Sequence, residues 1–187
     1  MTVDRAATAE DALRGVLLSE YEMLKAEQKS RIVARDRLMY ATLAALAATT
    51  AASLGAAQAQ LLLLLPPVCL ILGWTYLVND ENISAIGDYL HDHLGSRLTG
   101  VLGGAAVFGW ESVHRNQPGR LLRKSLQLCV DLAMFVVPAV LSVVGYWLTG
   151  PPSPVLVFAS AVELASAVVL AIRIVCSANL TAKGKRR

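Results

Sequence analysis

Hydrophobic and polar blocks alternate along the chain and leave four long apolar stretches, Leu38 to Ala57, Leu61 to Val78, Leu126 to Leu148 and Val155 to Ser177. A helix needs about 17 to 25 residues to cross a hydrocarbon core of roughly 30 Å, so all four qualify as spans. Only Gln58, Ala59 and Gln60 part the first two, and a turn from Thr149 to Pro154 parts the last two. The fold class this predicts is an all-α polytopic membrane protein: two transmembrane helical hairpins plus cytoplasmic amphipathic helices.

Between the spans the pattern changes to helical periodicity. Leu13, Leu17, Tyr21, Leu24 and Gln28 recur every three or four residues, Thr8 and Asp11 resemble a helix start, and no proline intervenes before Arg37. With no breaker between Arg37 and Leu38, this amphipathic helix is expected to continue into the first span as one rod. Its narrow stripe fits a coiled-coil seam between copies and fits equally well against the chain's own central segment. There, Asn79, Asp80, Glu81 and Asn82 are suited to ending one helix and capping the next. Ile83, Ile86, Leu90, Leu94 and Leu98 then form an apolar face opposite Glu81, Ser84, Asp88, His91 and Asp92. That acidic face favours contact with the basic rod over the surface of an anionic membrane. The five glycines from Gly95 to Gly109 lack the Gly-Lys-Ser/Thr ending of a phosphate loop and predict a flexible connector. Trp110, just beyond, is placed at headgroup level on the approach to the third span. The resulting division is a cytoplasmic helix over 1–37, a hairpin over 38–78, a cytoplasmic segment over 79–125, a second hairpin over 126–177 and a basic tail over 178–187.

Composition supports the bilayer as solvent, since 55% of the 187 residues are hydrophobic and only 17% are charged. The polar start through Glu10 and Asp11 is not a cleavable signal, so the first span is expected to direct its own insertion. Charge then sets orientation. Lys25, Lys29, Arg31, Arg35 and Arg37 precede the first span; Arg97, Arg115, Arg120, Arg123 and Lys124 lie between the second and third; Lys183, Lys185, Arg186 and Arg187 follow the fourth. Both tight turns are uncharged, so the positive-inside rule places both termini in the cytoplasm of a bacterial plasma membrane. The formal charge of +3 sits at membrane edges without interleaved aromatics, which excludes a nucleic-acid surface and points to anionic lipid headgroups. Cys69, Cys129 and Cys176 all fall in apolar stretches at no zinc spacing and read as small packing residues.

Candidate chemistry is sparse. Ala41, Ala45, Ala48, Ala52 and Gly55 recur at helical spacing and predict a helix-packing face. Pro66, Pro67 and Pro138 are expected to bend their spans. Asp131, Glu163 and Arg173 are the ionisable residues inside apolar stretches. Asp131 and Arg173 fall at similar depth and are expected to pair. Glu163 sits near mid-membrane with no cation at its level; Ala159, Ser166 and Ala167 share its face, so it is expected to point into a helix interface. Its carboxyl either hydrogen-bonds across that interface or lines an aqueous path for an ion or proton. Asp88, His91 and Asp92 share one helical face at a spacing that suits a divalent cation, and a solvated acidic face explains them as well.

The string Ile83-Ser84-Ala85-Ile86-Gly87-Asp88-Tyr89-Leu90, with the later Trp110-Glu111, resembles small four-span actinobacterial integral membrane proteins of unassigned role. More loosely, a cytoplasmic helix joined to paired spans is similar to membrane effectors of bacterial conflict systems. No nucleophile and base, metal-binding helix or cofactor fingerprint stands out, so the expectation is a noncatalytic, cofactor-free membrane protein. In that reading it is a homo-oligomer whose cytoplasmic segments receive a protein partner or signal; the alternative is a small ion or proton channel or transporter using Glu163.

Overall fold

The computed structural model describes residues 2–101, 120–151 and 153–183, and all of its regular structure is helical. Gly103, Gly104, Gly109, Trp110, Glu111, Arg115, Lys185, Arg186 and Arg187 lie outside the described residues. The elements are α1 (Thr2–Ala56), a 3-10 helix (Ala59–Leu64), α2 (Leu65–Tyr89), a π-helix (Leu90–Leu94), α3 (Gly95–Val101), α4 (Arg120–Phe135), α5 (Val137–Thr149) and α6 (Pro154–Lys183). Four helical stretches, Asp11–Ala56, Ala59–Val101, Lys124–Thr149 and Pro154–Ala178, are long and apolar enough to cross a membrane.

Helix α1 is unbroken for 55 residues, about 80 Å at 1.5 Å per residue. It is already helical at Thr2, so Thr8 lies inside it. It stops where Ala57 adopts a left-handed backbone (φ 52°). There the Gln58 amide donates to Ser53 O at 3.1 Å while the Ser53 hydroxyl donates back to Gln58 O at 3.1 Å. Two expectations need correction. Pro66 and Pro67 do not bend a span; they fall in the first turn of α2, right after the 3-10 helix, where a missing amide donor deprives no carbonyl of a partner. Nor does Asn79–Asn82 end a helix, because α2 runs through it to Tyr89. The Asn79 side chain donates to Arg31 O at 2.6 Å and so is spent on tertiary packing instead of a cap. Pro138 does interrupt the third span, which divides into α4 and α5 around Val136.

The chain forms two compact units. The first comprises Met1–Ala34 and Asn79–Pro118. In it Leu17, Leu90, Leu94 and Leu98 are buried, with Tyr21, Leu24, Ile86 and Val101 packed around them. The polar bonds fix an antiparallel register: Asn79 reaches Arg31, Gln28 Nε2 donates to Ile83 O at 3.2 Å, and Tyr89 Oη donates to Glu20 Oε1 at 2.6 Å. The stripe on α1 from Leu17 to Gln28 is thus occupied by the chain's own central segment, while Leu13 remains exposed. The wider turn of the π-helix keeps Leu90, Leu94 and Leu98 facing α1.

The second unit comprises Arg35–Val78 and Gly119–Arg187. Its core is layered. Leu63, Val143 and Tyr146 form one layer, Cys69, Ala139 and Ala167 the next, and Tyr76, Phe135, Leu170 and Ile174 the third. Polarity here is inverted relative to a water-soluble protein. Leu54, Leu64, Ile71, Leu141, Leu148, Val155 and Phe158 are exposed, whereas Thr42, Ser53, Ser142 and Ser160 are buried.

Candidate functional site

Helix α6 turns one stripe inward: Ser160, Glu163, Ala167, Leu170 and Ile174, spaced by three or four. Glu163 falls between the upper two core layers, and its Oε2 is sealed from solvent with no hydrogen-bond partner. The neighbouring hydroxyls do not supply one, because their donors are spent on backbone carbonyls of their own helices. Ser160 donates to Val157 O at 2.8 Å, Ser142 to Ala139 O at 2.8 Å and Ser166 to Val162 O at 2.9 Å. Ser160 Oγ also accepts from Trp147 Nε1 at 2.8 Å. A lone carboxyl with one oxygen unbonded can hold or release a proton, but it offers too few oxygens to replace the shell of a metal cation.

A second polar group lies nearer the opposite end of α6. The structure gives Asp131 and Arg173 different partners. Asp131 Oδ1 accepts from Gln127 Nε2 at 2.9 Å, and the same amide nitrogen donates to Tyr76 Oη at 2.7 Å. Arg173 instead lays its guanidinium over the Trp74 ring, 5.5 Å from the centroid. Gly73, beside Trp74 in the chain, sits against the core. A Cβ on it would lie 2.9 Å from Leu170 Cδ2 and 3.0–3.1 Å from Phe135 Cγ and Cβ. This close approach of α2 to Leu170 comes one turn before Arg173. The sequence carried this signal in plain form: Trp74 and Arg173 each stand four residues from the end of an apolar stretch.

Of the small-residue face, Ala45 is half-buried while Ala41, Ala48, Ala52 and Gly55 are exposed, and nothing lies within 4 Å of a Cβ built on Gly55. The inward face of this part of α1 is made by Leu38, Thr42, Leu46 and Ser53. In the first unit, His91 Nδ1 lies 2.7 Å from Asp92 Oδ1, and Asp88 is exposed one turn earlier. Among the described residues no three His, Cys, Asp or Glu side chains converge as a metal site requires. Tyr89 holds its proton to a pH above the usual phenol value, chiefly because its hydroxyl donates to the Glu20 carboxylate. Neither a family model, a curated protein nor a solved structure matches the chain.

Proposed function

We propose that the chain is a noncatalytic, oligomeric integral membrane protein of the bacterial cytoplasmic membrane. In this reading it crosses the bilayer as two helical hairpins with both termini in the cytoplasm. The unit built from Leu17, Leu24, Ile86 and Leu94 then receives a cytoplasmic partner or signal, as a scaffold or membrane effector would. The inverted polarity of the second unit supports a hydrocarbon environment, because in water its exposed leucines, valines and phenylalanine would form a continuous apolar surface.

Self-association rests on one observation. Only 11% of the most apolar stretch of α1 is buried, against 39% for the stretch containing α2, and the uncovered side carries Ala41, Ala48, Ala52 and Gly55. Helices in lipid associate through such small residues, which allow close backbone approach. The stripe around Leu17 and Leu24, the other candidate seam, is already filled within the chain. Cysteine placed at Ala48 is expected to crosslink between copies in native membranes, and cysteine at Leu46, which faces the core, is not. Monomers alone at Ala48 would count against assembly.

A second reading is carried by Glu163, whose sealed, unpartnered oxygen suits a proton-coupled path. Replacing Glu163 with Gln then abolishes pH-dependent flux in liposomes while insertion is retained; unchanged flux dismisses the path.

A further inference from the structure

We propose that the exposed Arg173–Trp74 pair is a docking site for the phosphate of an anionic phospholipid in the cytoplasmic leaflet. This rests on the membrane topology proposed above. An arginine within a span is costly unless its charge is compensated, and a buried carboxylate is the usual remedy. Here Asp131 is engaged with Gln127. Among the described residues no carboxylate comes within ion-pair distance of Arg173, although Arg173 is itself exposed. Trp74, 42% exposed, lies under the guanidinium carbon, which is 5.5 Å from the ring centroid. The N–H donors of an exposed guanidinium can meet a phosphate in bidentate fashion.

Depth favours the same partner. Trp74 precedes the end of its apolar stretch at Val78 by four residues, and Arg173 precedes Ser177 by four, about 6 Å at helical rise. That is the level of the interfacial belt, where tryptophan is enriched and basic side chains reach the headgroups. Trp74 also gives the arginine a platform, since the guanidinium carbon lies 5.5 Å from the ring centroid on the outer surface of the second unit. An exposed guanidinium with an aromatic neighbour at phosphate depth combines charge with the geometry that recognises a phosphate.

The test uses the full chain in nanodiscs of phosphatidylcholine doped with phosphatidylglycerol, released into native mass spectrometry to count retained lipids. Wild type is expected to retain phosphatidylglycerol preferentially. Arg173→Gln is expected to lose about fivefold of that preference, the factor for one basic residue at the membrane surface. Arg173→Lys keeps the charge without the planar fork and is expected to fall between them. Trp74→Leu leaves the charge in place, removes the platform and is expected to weaken the preference; it also guards against a misfolded Arg173→Gln. Equal lipid preference in wild type, Arg173→Gln and Trp74→Leu overturns the site. If millimolar inorganic phosphate abolishes the preference, the site takes free phosphate and the lipid assignment is overturned. Labelling of a cysteine at Gln58 from the outer face of spheroplasts reads topology separately, so the two failures are distinguishable.

Discussion

Gly73→Ala adds one methyl group where three side chains already meet. The new Cβ would stand 2.9 Å from Leu170 Cδ2, 3.0 Å from Phe135 Cγ and 3.1 Å from Phe135 Cβ. Leu170 can yield by turning its terminal methyl. Phe135 cannot, because its ring is 1% exposed and its Cβ moves only with the backbone of α4. Overpacking of this kind costs about 1–3 kcal/mol, while alanine returns about 0.5–1 kcal/mol of helix propensity. The net expectation is a loss centred on about 1 kcal/mol, or roughly 5-fold in the folding equilibrium, within a range of about 0–2.5 kcal/mol.

Gly55→Ala is the internal control, since nothing lies within 4 Å of its added carbon and only the propensity gain applies. Unfolding both variants in mixed micelles of rising dodecyl sulfate fraction, followed by tryptophan fluorescence, gives the comparison. Gly73→Ala should unfold at lower detergent fraction than wild type, and Gly55→Ala at the same fraction or higher. A Gly73→Ala variant as stable as Gly55→Ala would refute the close approach of α2, α4 and α6.

Four further outcomes are expected. Ala57→Gly should stabilise the protein by about 1 kcal/mol in the same assay, because a left-handed backbone strains alanine and not glycine. Leu94→Ala, at a position 0% exposed in the first unit, should cost about 2–5 kcal/mol and accelerate amide exchange around Leu17 and Leu90. Tyr89 is held protonated by Glu20, so its folded-state pKa lies above the unfolded value of 10; the stability from that bond is complete below pH 10 and disappears as pH rises through the folded value. Ultraviolet titration should show one phenol shifting to lower pH in Glu20→Gln, and no shift would remove the bond. Conversion of Glu163 to Leu should leave folding intact or improve it, since the carboxyl oxygen it removes has no partner.

Much of the architecture was legible because the bilayer imposes a length. Four apolar runs of sufficient extent predicted four helices able to cross a membrane, and the missing breaker at Arg37–Leu38 predicted the single long α1. Where the sequence misled, the deciding quantity was a residue's place within its element. Pro66 and Pro67 bend a helix only from its interior, and no pattern showed that a 3-10 helix would end at Leu64 and make them its first turn. Asn79 resembled a cap until α1 supplied Arg31 O as its acceptor. Arg173 and Asp131 matched in depth, yet pairing depends on helix rotation as well, and the structure sets Arg173 over Trp74 and Asp131 against Gln127.

The two units obey opposite rules on the same helices. Around Leu17 and Leu94 a cluster of leucines is buried, although Leu13 and Leu18 stay exposed, and on the proposed topology burial from water would supply its driving force. Around Cys69 and Ala167 large apolar residues face outward, and on the proposed topology burial of apolar area in lipid would supply little; close packing of small residues and bonds between helices such as Trp147 to Ser160 would hold the helices together. That difference sets what each unit tolerates. On the proposed topology a methylene lost from Leu94 is felt through water, and one added at Gly73 is felt through contact. Glu163 is the exception to both rules, since among the described residues its buried Oε2 has no hydrogen-bond partner. Its buried, unpartnered oxygen lies on the inward stripe, so Glu163→Leu, which removes that oxygen and keeps most of the side chain's volume, separates a packing position from one that needs the carboxyl.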